Sequence, residues 1–377
     1  MTAQPGQTGR PDPAWTAGPG PLPDRAVVPG PLPDRTMLLV AHTGRPAARR
    51  SARAVVERLT DAKVGVRVLE PEAADLGALA AVAVPASPAA AVGTEMVLVI
   101  GGDGTLLRAA ELARGAYVPL LGVNLGHVGF LAEAEPEDLS EAVDRVVARA
   151  YSVEERMTID VTVQAGGEVI ARTWALNEVT VEKAGRERML NLVIEVDNRP
   201  LSRWGCDGVV FATPTGSTAY AFSAGGPVVW PEVEALLMVP IAAHALFAGP
   251  MVVSPRSVLA AEVIGVGGGQ SEASGAVLWC DGRRKVDLPP GARIEVRRGT
   301  RPVLLARLRA RAGEGAAGEG AAEVGAPFTD RLVEKFGLPV TGWRGRGAAA
   351  RERVGRDGMG GPETAGRHED EEPGGDA

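Results

Sequence analysis

An aspartate sits among three glycines in Gly101-Gly102-Asp103-Gly104-Thr105, directly after the apolar run Met96-Val97-Leu98-Val99-Ile100. An uncharged, β-branched-rich run that ends in glycines and opens into Leu106-Leu107-Arg108-Ala109-Ala110-Glu111-Leu112 reads as a buried strand, a tight turn and a helix. Glycines let the backbone approach a ligand closely, and the free N–H groups at a helix start favour an anion. A carboxylate within such a cradle repels bare phosphate, so Asp103 is expected to hold a metal ion or to take a proton from a hydroxyl. The plainer reading makes Asp103 only the cap of a strand-to-helix turn. Neither a Gly-x-x-x-x-Gly-Lys-Ser/Thr loop nor a dinucleotide fingerprint of Gly-x-Gly-x-x-Gly spacing and later ribose-binding acid accounts for the turn.

The surrounding chain must position that turn. Residues 1–36 are rich in Pro and Gly and contain Pro-Gly-Pro-Leu-Pro-Asp-Arg twice, at 19–25 and 29–35, which predicts a disordered extension. Met37 precedes the first strand-like run and is a candidate translation start. From 37 to 150 strand patterns at 38–40, 64–69, 96–100 and 118–123 alternate with helix patterns, one carrying Ala52, Val55, Val56 and Leu59, another over 136–150 carrying Leu139, Val143, Val146 and Val147. This alternation predicts an N-terminal Rossmann-like α/β domain whose ligands bind at the carboxyl ends of parallel strands. After Tyr151 the pattern turns to strands at 158–163, 168–181, 192–196, 258–263, 277–279 and 294–296, predicting a C-terminal β-rich, sandwich-like domain over 151–310. A flexible Gly/Ala/Glu loop at 311–327 precedes a C-terminal segment, 328–344, expected to pack back on the body, and an acidic tail, 345–377, expected to be disordered.

With 377 residues and 45% hydrophobic content the chain can bury two sizeable cores, and a net charge of −7 argues against a nucleic-acid partner. Cys206 and Cys280 form no Cys-x-x-Cys pair, which suits a reduced, cytoplasmic protein. Residues 1–15 lack an apolar core after a basic start, so no signal peptide is expected. The uncharged stretches at 76–93 and 235–253 are broken by Pro85, Pro88, Pro240 and Pro250, and no membrane span is expected from them.

Further motifs narrow the chemistry. Asn124-Leu125-Gly126-His127-Val128-Gly129-Phe130-Leu131 follows a strand, as a second loop at the ligand edge would. Asn177-Glu178 offers an amide and a carboxylate side by side within a strand pattern, where alternation turns one of them toward a cleft; the plain alternative is an exposed pair on an edge strand. Cys206-Asp207-Gly208 leads to the hydroxyl-rich Thr213-Pro214-Thr215-Gly216-Ser217-Thr218-Ala219-Tyr220-Ala221-Phe222-Ser223-Ala224-Gly225-Gly226-Pro227. Arg108, one helical turn past the glycines, is placed to reach back to a phosphate or to stand as a solvated charge. His127 and His244 lack partner motifs and read as packing or hydrogen-bonding residues.

The glycine-aspartate turn resembles the signature of a kinase superfamily that includes NAD kinases, lipid kinases and phosphofructokinases. All these motifs in this order resemble an NAD kinase of the bacterial type over about residues 37–344. The resemblance implies transfer of a terminal phosphoryl group from ATP or polyphosphate to the 2′-hydroxyl of the adenosine ribose of NAD, giving NADP. It implies Asp103 as the base, Gly104 as its backbone partner at the dinucleotide, and Asn177 and Glu178 on the adenosine ribose. It places Asp207 at the nicotinamide end, a basic Arg188 near the dinucleotide, and Thr218, Ala219, Tyr220, Ala221, Phe222 and Ser223 around the adenine and ribose. A divalent cation, most simply Mg²⁺, would offset the donor's charge. A homo-oligomer is the family expectation. The sequence departs from the family at Gly249, where a basic residue usually precedes the proline, which bears on the donor site or subunit contacts. A lipid or sugar kinase of the same superfamily and a non-catalytic NAD-binding sensor remain the alternatives.

Overall fold

A computed structural model of the chain describes residues 34–77, 79–124, 129–132, 138–185, 189–264, 276–309 and 328–339. By backbone contacts it divides into residues 1–331 and 332–377; the described part of the second unit is the end of the helix Phe328–Phe336 and the three residues after it.

Five parallel strands form most of the first sheet, in the spatial order Val82–Val84, Gly65–Leu69, Thr36–Ala41, Met96–Ile100, Leu120–Val123. Thr36–Ala41 and Met96–Ile100 are buried at every residue, as strands covered on both faces must be. The helix Pro46–Asp61 covers one face through Ala48, Ala52, Val55, Val56 and Leu59, and Pro46 at its start suits the first helical position. The order of strands along the chain reverses between Thr36–Ala41 and Met96–Ile100. In open α/β sheets ligands enter the crevice at such a reversal, beyond the carboxyl ends of the strands. The loops leaving these two strands, at 42–45 and 101–102, are joined there by a hydrogen bond from the His42 N–H to the Ile100 carbonyl, 2.9 Å.

Two more strands complete this sheet, and the sequence pattern had assigned both to the β-rich part. Val303–Leu308 lies parallel beside Leu120–Val123, and Tyr151–Arg156 pairs antiparallel with it at the edge. Val303–Leu308 is buried along its whole length, and its Arg307 is matched by Glu154 of the neighbouring strand at 2.7 Å.

The remaining strands form two six-stranded antiparallel sheets. One runs Arg199–Cys206, Leu190–Val196, Leu259–Val263, Arg293–Arg298, Ile159–Ala165, Glu168–Ala175; the other runs Met251–Val253, Leu236–Ile241, Gly208–Ala212, Glu178–Lys183, Ala276–Cys280, Arg284–Leu288. Alternate residues of both, among them Val161, Ile194, Trp204, Val179, Phe211 and Leu278, fill one shared core. This is a sandwich, as expected. The expected single strand over 168–181 is two strands in different sheets, with the crossing at 176–177; a second crossing falls at Asp207. Arg35 and Thr36, which the repeats placed in the extension, are among the described residues. Arg35 pairs with Glu95 at 2.7 and 2.8 Å and donates to the carbonyls of Val146 and Val147, so the residues just before Met37 already belong to the fold. No described helix is long and apolar enough to cross a membrane.

Candidate functional site

Asp103 is the first residue of the helix Asp103–Ala113. Its carboxylate does not close on its own helix. It accepts the N–H groups of Phe130 at 3.2 Å and Leu131 at 3.3 Å, which tie the glycine-aspartate turn to the second loop. Gly129 permits this approach, because a Cβ there would overlap Asp103 Oδ1. Gly101 is held as tightly: a Cβ would stand 2.5 Å from Thr105 Oγ1. Gly104 faces open space. The helix-cap reading of Asp103 therefore gives way to a carboxylate oriented by two backbone amides at the mouth of the parallel sheet.

Arg108 does not reach toward that turn. Its guanidinium pairs with Glu72 and with the Ala41 carbonyl at 3.2 Å, while the other Glu72 oxygen takes the Ala41 N–H at 2.8 Å. Burial pushes the Glu72 carboxyl above the usual range, and the cation opposes that shift. Arg108 anchors a buried acid under the first strand. Arg188 and His127 lie outside the described residues.

Asn177 and Glu178 are both buried; Glu178 opens a strand flanked by Gly208–Ala212 and Ala276–Cys280 and Asn177 precedes it at the crossing, so the edge-strand alternative does not hold. At this crossing the backbone N–H groups of Leu176, Asn177 and Glu178 all donate to Asp281, at 3.0, 2.8 and 3.4 Å. Asp281 is also paired with Arg284 at 2.8 Å. Both of its oxygens thus face donors and leave no acceptor for a proton of its own. Glu178 differs: its Oε2 is buried with no hydrogen-bond partner, and its carboxyl receives the Tyr220 backbone N–H. Burial, with Asp281 adding like charge, raises the Glu178 carboxyl to about 8. Burial raises the Asp281 carboxyl as well, but there the Arg284 cation and the three backbone N–H groups oppose the shift, whereas Glu178 has only the Tyr220 N–H against its burial.

The hydroxyl-rich segment is first a packing device. Thr213 Oγ1 donates to the Leu176 carbonyl at 2.6 Å and accepts the Gly216 N–H at 3.1 Å; a Cβ on Gly216 would overlap the Asn177 carbonyl. Ser217 Oγ bonds both the carbonyl and the N–H of Val229. Ala221 points into a small cluster with Val210, Ala212, Leu237 and Val239, so its side chain is core rather than a binding surface. Thr218 and Ala219 are half-buried, Thr218 turning its hydroxyl back to the Thr215 carbonyl at 3.2 Å, while Phe222 and Ser223 are exposed. Tyr220, 38% exposed, is not core.

Tyr220 instead faces a cleft of about 370 Å³ that it lines with Glu178, Thr180, Glu182, Trp279 and Gly282. Glu178, Thr180 and Glu182 are alternate residues of one strand and share its face. Asp207 stands at the other crossing, half exposed, and is ion-paired with Lys183. Sequence reasoning missed Asp281, Thr180, Glu182 and Trp279. One signal for Asp281 was available: Cys280-Asp281-Gly282 repeats Cys206-Asp207-Gly208. Both cysteines are free and buried, and burial pushes their thiols up to about 11 and about 12, which leaves them unreactive.

The acceptor-like cleft and the Asp103 turn are physically linked. Glu111, near the far end of the Asp103 helix, pairs with Arg283 at 3.1 Å and Arg284 at 3.2 Å, the arginines of the Asp281 turn. Near the loop that holds Asp103, Phe328 packs its ring 5.8 Å from Phe130 and 5.1 Å from Trp230, and Arg331 donates to the Phe130 carbonyl at 3.0 Å.

Comparison with known proteins accords with this arrangement. The model of the ATP-NAD kinase N-terminal domain matches residues 37–151, and that of the ATP-NAD kinase C-terminal domain matches 176–308. NAD kinase 2 of Streptomyces coelicolor is 61% identical over 312 residues, covering 82% of this chain and 97% of that protein. The NAD kinase of Thermobifida fusca is 61% identical over 323 residues, covering 83% and 92%. Among solved structures, an NAD kinase from Archaeoglobus fulgidus in complex with ATP aligns with a TM-score of 0.55 at 27% identity, covering 72% of this chain and 92% of that one. Yeast NADH kinase complexed with NADH shares the fold, with a TM-score of 0.65 at 24% identity over 74% and 84% of the two chains. The chain belongs to the NAD kinase family and is a kinase.

Proposed function

We propose that Asp103 is the base that activates the adenosine ribose 2′-hydroxyl of NAD for attack on the terminal phosphorus of ATP or polyphosphate. The 2′-oxygen gives its proton to the Asp103 carboxylate and forms the new P–O bond, while the bond to the rest of the donor breaks and ADP or shortened polyphosphate leaves with the electron pair. NADP is the product. The observation that carries this reading is the Asp103 carboxylate fixed by the Phe130 and Leu131 amides beside the sheet's strand-order reversal. Phosphoryl transfer depends on placement and charge neutralisation, and an aimed carboxylate supplies the first.

The donor phosphates then occupy the crevice between loops 42–45 and 101–102, with Gly104 giving the dinucleotide an unobstructed backbone. Mg²⁺ would enter with the donor phosphates and neutralise their charge, leaving the Asp103 carboxylate to take the proton. Asn177 and Glu178 grip the adenosine ribose, a partner for the otherwise unmatched Glu178 Oε2. Tyr220 stacks on the adenine, Thr218, Ala219, Phe222 and Ser223 border it, and Asp207 and Arg188 lie toward the rest of the dinucleotide. The working unit is a cytoplasmic homo-oligomer.

The test is NADP formation from NAD by purified protein with Mg²⁺ and either donor, using an NADP-specific dehydrogenase as readout. Asp103→Asn lowers kcat by about 10²–10⁴-fold with little change in KM for NAD, and EDTA abolishes most activity. A variant that turns over normally, or one that loses NAD affinity instead, removes Asp103 from the role of base.

A further inference from the structure

We infer that Asp281 is a positioning residue for the acceptor: it sets the backbone at 176–178 so that Asn177 and Glu178 meet the ribose, and through Arg284 and Glu111 it registers that grip against the helix that starts with Asp103. The inference rests on the reading that Asn177 and Glu178 hold the acceptor. At 176–178 the chain passes from one sheet of the sandwich to the other, and three consecutive N–H groups go to one side chain rather than to a neighbouring strand. The Asp281 side chain is 2% exposed. Burying a carboxylate is costly even when paired, and a crossing that needed only satisfied amides would be served by carbonyls.

What the carboxylate adds is direction, because it is anchored on its other side. Arg284 pairs with it, stands 4.6 Å over the Trp174 ring, and lies 3.2 Å from Glu111. Glu111 and Asp103 share one helix, about 12 Å apart along its axis by the α-helical rise. A shift of about 1 Å between the ribose grip and the base is enough to cost about 10²-fold in rate, so a rigid link between them has catalytic consequence.

The test compares Asp281→Asn with Asn177→Ala and Glu178→Ala in the full chain. An amide at 281 keeps one acceptor oxygen and turns an N–H₂ group toward a donor. KM for NAD is expected to rise about 10-fold or more while KM for ATP stays within about 2-fold. The pH limb of the NAD KM profile moves lower, because Glu178 loses its like-charged neighbour; the other groups facing it, the Tyr220 N–H and hydroxyl and Glu182 on its own strand, are unchanged. Equal KM values and an unmoved limb overturn the inference, as does a parallel loss in both KM values and in thermal stability with the limb unmoved. If Asn177→Ala and Glu178→Ala leave KM for NAD unaltered, the acceptor reading itself fails and this inference falls with it. Should Asp281→Asn not fold, Glu111→Gln carries the test: kcat drops about 10-fold at unchanged NAD affinity, and an unchanged kcat refutes the link.

Discussion

Glu178 allows a stability experiment that needs no substrate. Its carboxyl stands at about 8 in the folded protein against an ordinary value of 4.5. An acid raised on folding stabilises the fold while protonated and loses that advantage as pH climbs from the unfolded toward the folded value. Each pH unit in that window is worth ~1.4 kcal/mol. Between pH 5 and pH 8 the wild type therefore loses on the order of 3 kcal/mol through this one group. Glu178→Gln has the shape of the protonated acid and no charge to desolvate, and its carbonyl still accepts the Tyr220 N–H. The two proteins should be nearly equally stable at pH 5. By pH 8 the variant should be the more stable by on the order of 3 kcal/mol, roughly 4–6 °C in Tm for a chain of this size. Urea or thermal denaturation of both proteins without NAD at pH 5, 6, 7 and 8 measures the gap; groups remote from Glu178 cancel in the difference, while Asp281, coupled to Glu178 as a like charge, titrates with it. A gap that stays constant with pH, or a variant weaker at pH 8, refutes the assignment of the proton to Glu178. The same protonation state has a functional corollary: a neutral acid and an amide each offer one donor and one acceptor. KM for NAD in Glu178→Gln should thus stay within about 3-fold at pH 7, whereas Glu178→Ala raises it more than about 10-fold.

Three other outcomes follow from packing. Gly129→Ala drives a methyl into the Asp103 carboxylate; kcat should fall about 10²-fold or more with NAD affinity retained, and a normal kcat would show that the amides of 130 and 131 do not aim Asp103. Removing residues 1–33 should leave stability unchanged, whereas starting the chain at Met37 removes Arg35 from Glu95 and from the two helix-end carbonyls and should cost about 1–3 kcal/mol; equal Tm values for the two truncations would contradict this. Gly249→Arg adds the basic residue that the family resemblance leads one to expect there, and a Cβ meets nothing within 4 Å; stability should change by no more than about 0.5 kcal/mol and KM for ATP should fall if the position faces the donor, an unchanged KM placing it elsewhere.

What the sequence revealed and what it concealed divide along the range of the forces involved. The strand, turn and helix at 96–113 are local, and the apolar run, the glycines and the helical spacing specify them without help from elsewhere. The break at 176–177 is not local. Leu176, Asn177 and Glu178 continue an acceptable strand pattern, and the side chain that holds the bend, Asp281, lies 104 residues beyond Asn177. The contacts of Arg108 are hidden for the same reason: helical spacing puts it near the glycines, but Glu72, which pairs with it, belongs to a different βα unit. Val303–Leu308 reads as strand by any local measure; its membership in the first sheet depends on the chain returning to that sheet past the strands of the sandwich.

The most family-specific stretch of the sequence shows why signature strength and ligand contact are different properties. Thr213, Gly216, Ser217 and Ala221 are buried, and each is fixed by a protein partner: a carbonyl at the crossing, a close backbone approach, the chain at Val229, or an apolar cluster. Any of them replaced by a larger or less polar residue would first misplace Asn177 or Tyr220, and only through that affect a dinucleotide. The residues that the packing leaves at the surface of the cleft include Tyr220, and beside it Glu178 keeps an unmatched oxygen. Alanine replacements in 213–223 should accordingly separate into two groups: the buried Thr213, Thr215 and Ser217, whose loss lowers Tm along with activity, and the exposed Tyr220, whose loss raises KM for NAD at constant Tm. If Tyr220→Ala instead behaves like Thr213→Ala, the tyrosine is part of the scaffold and the adenine stacks elsewhere.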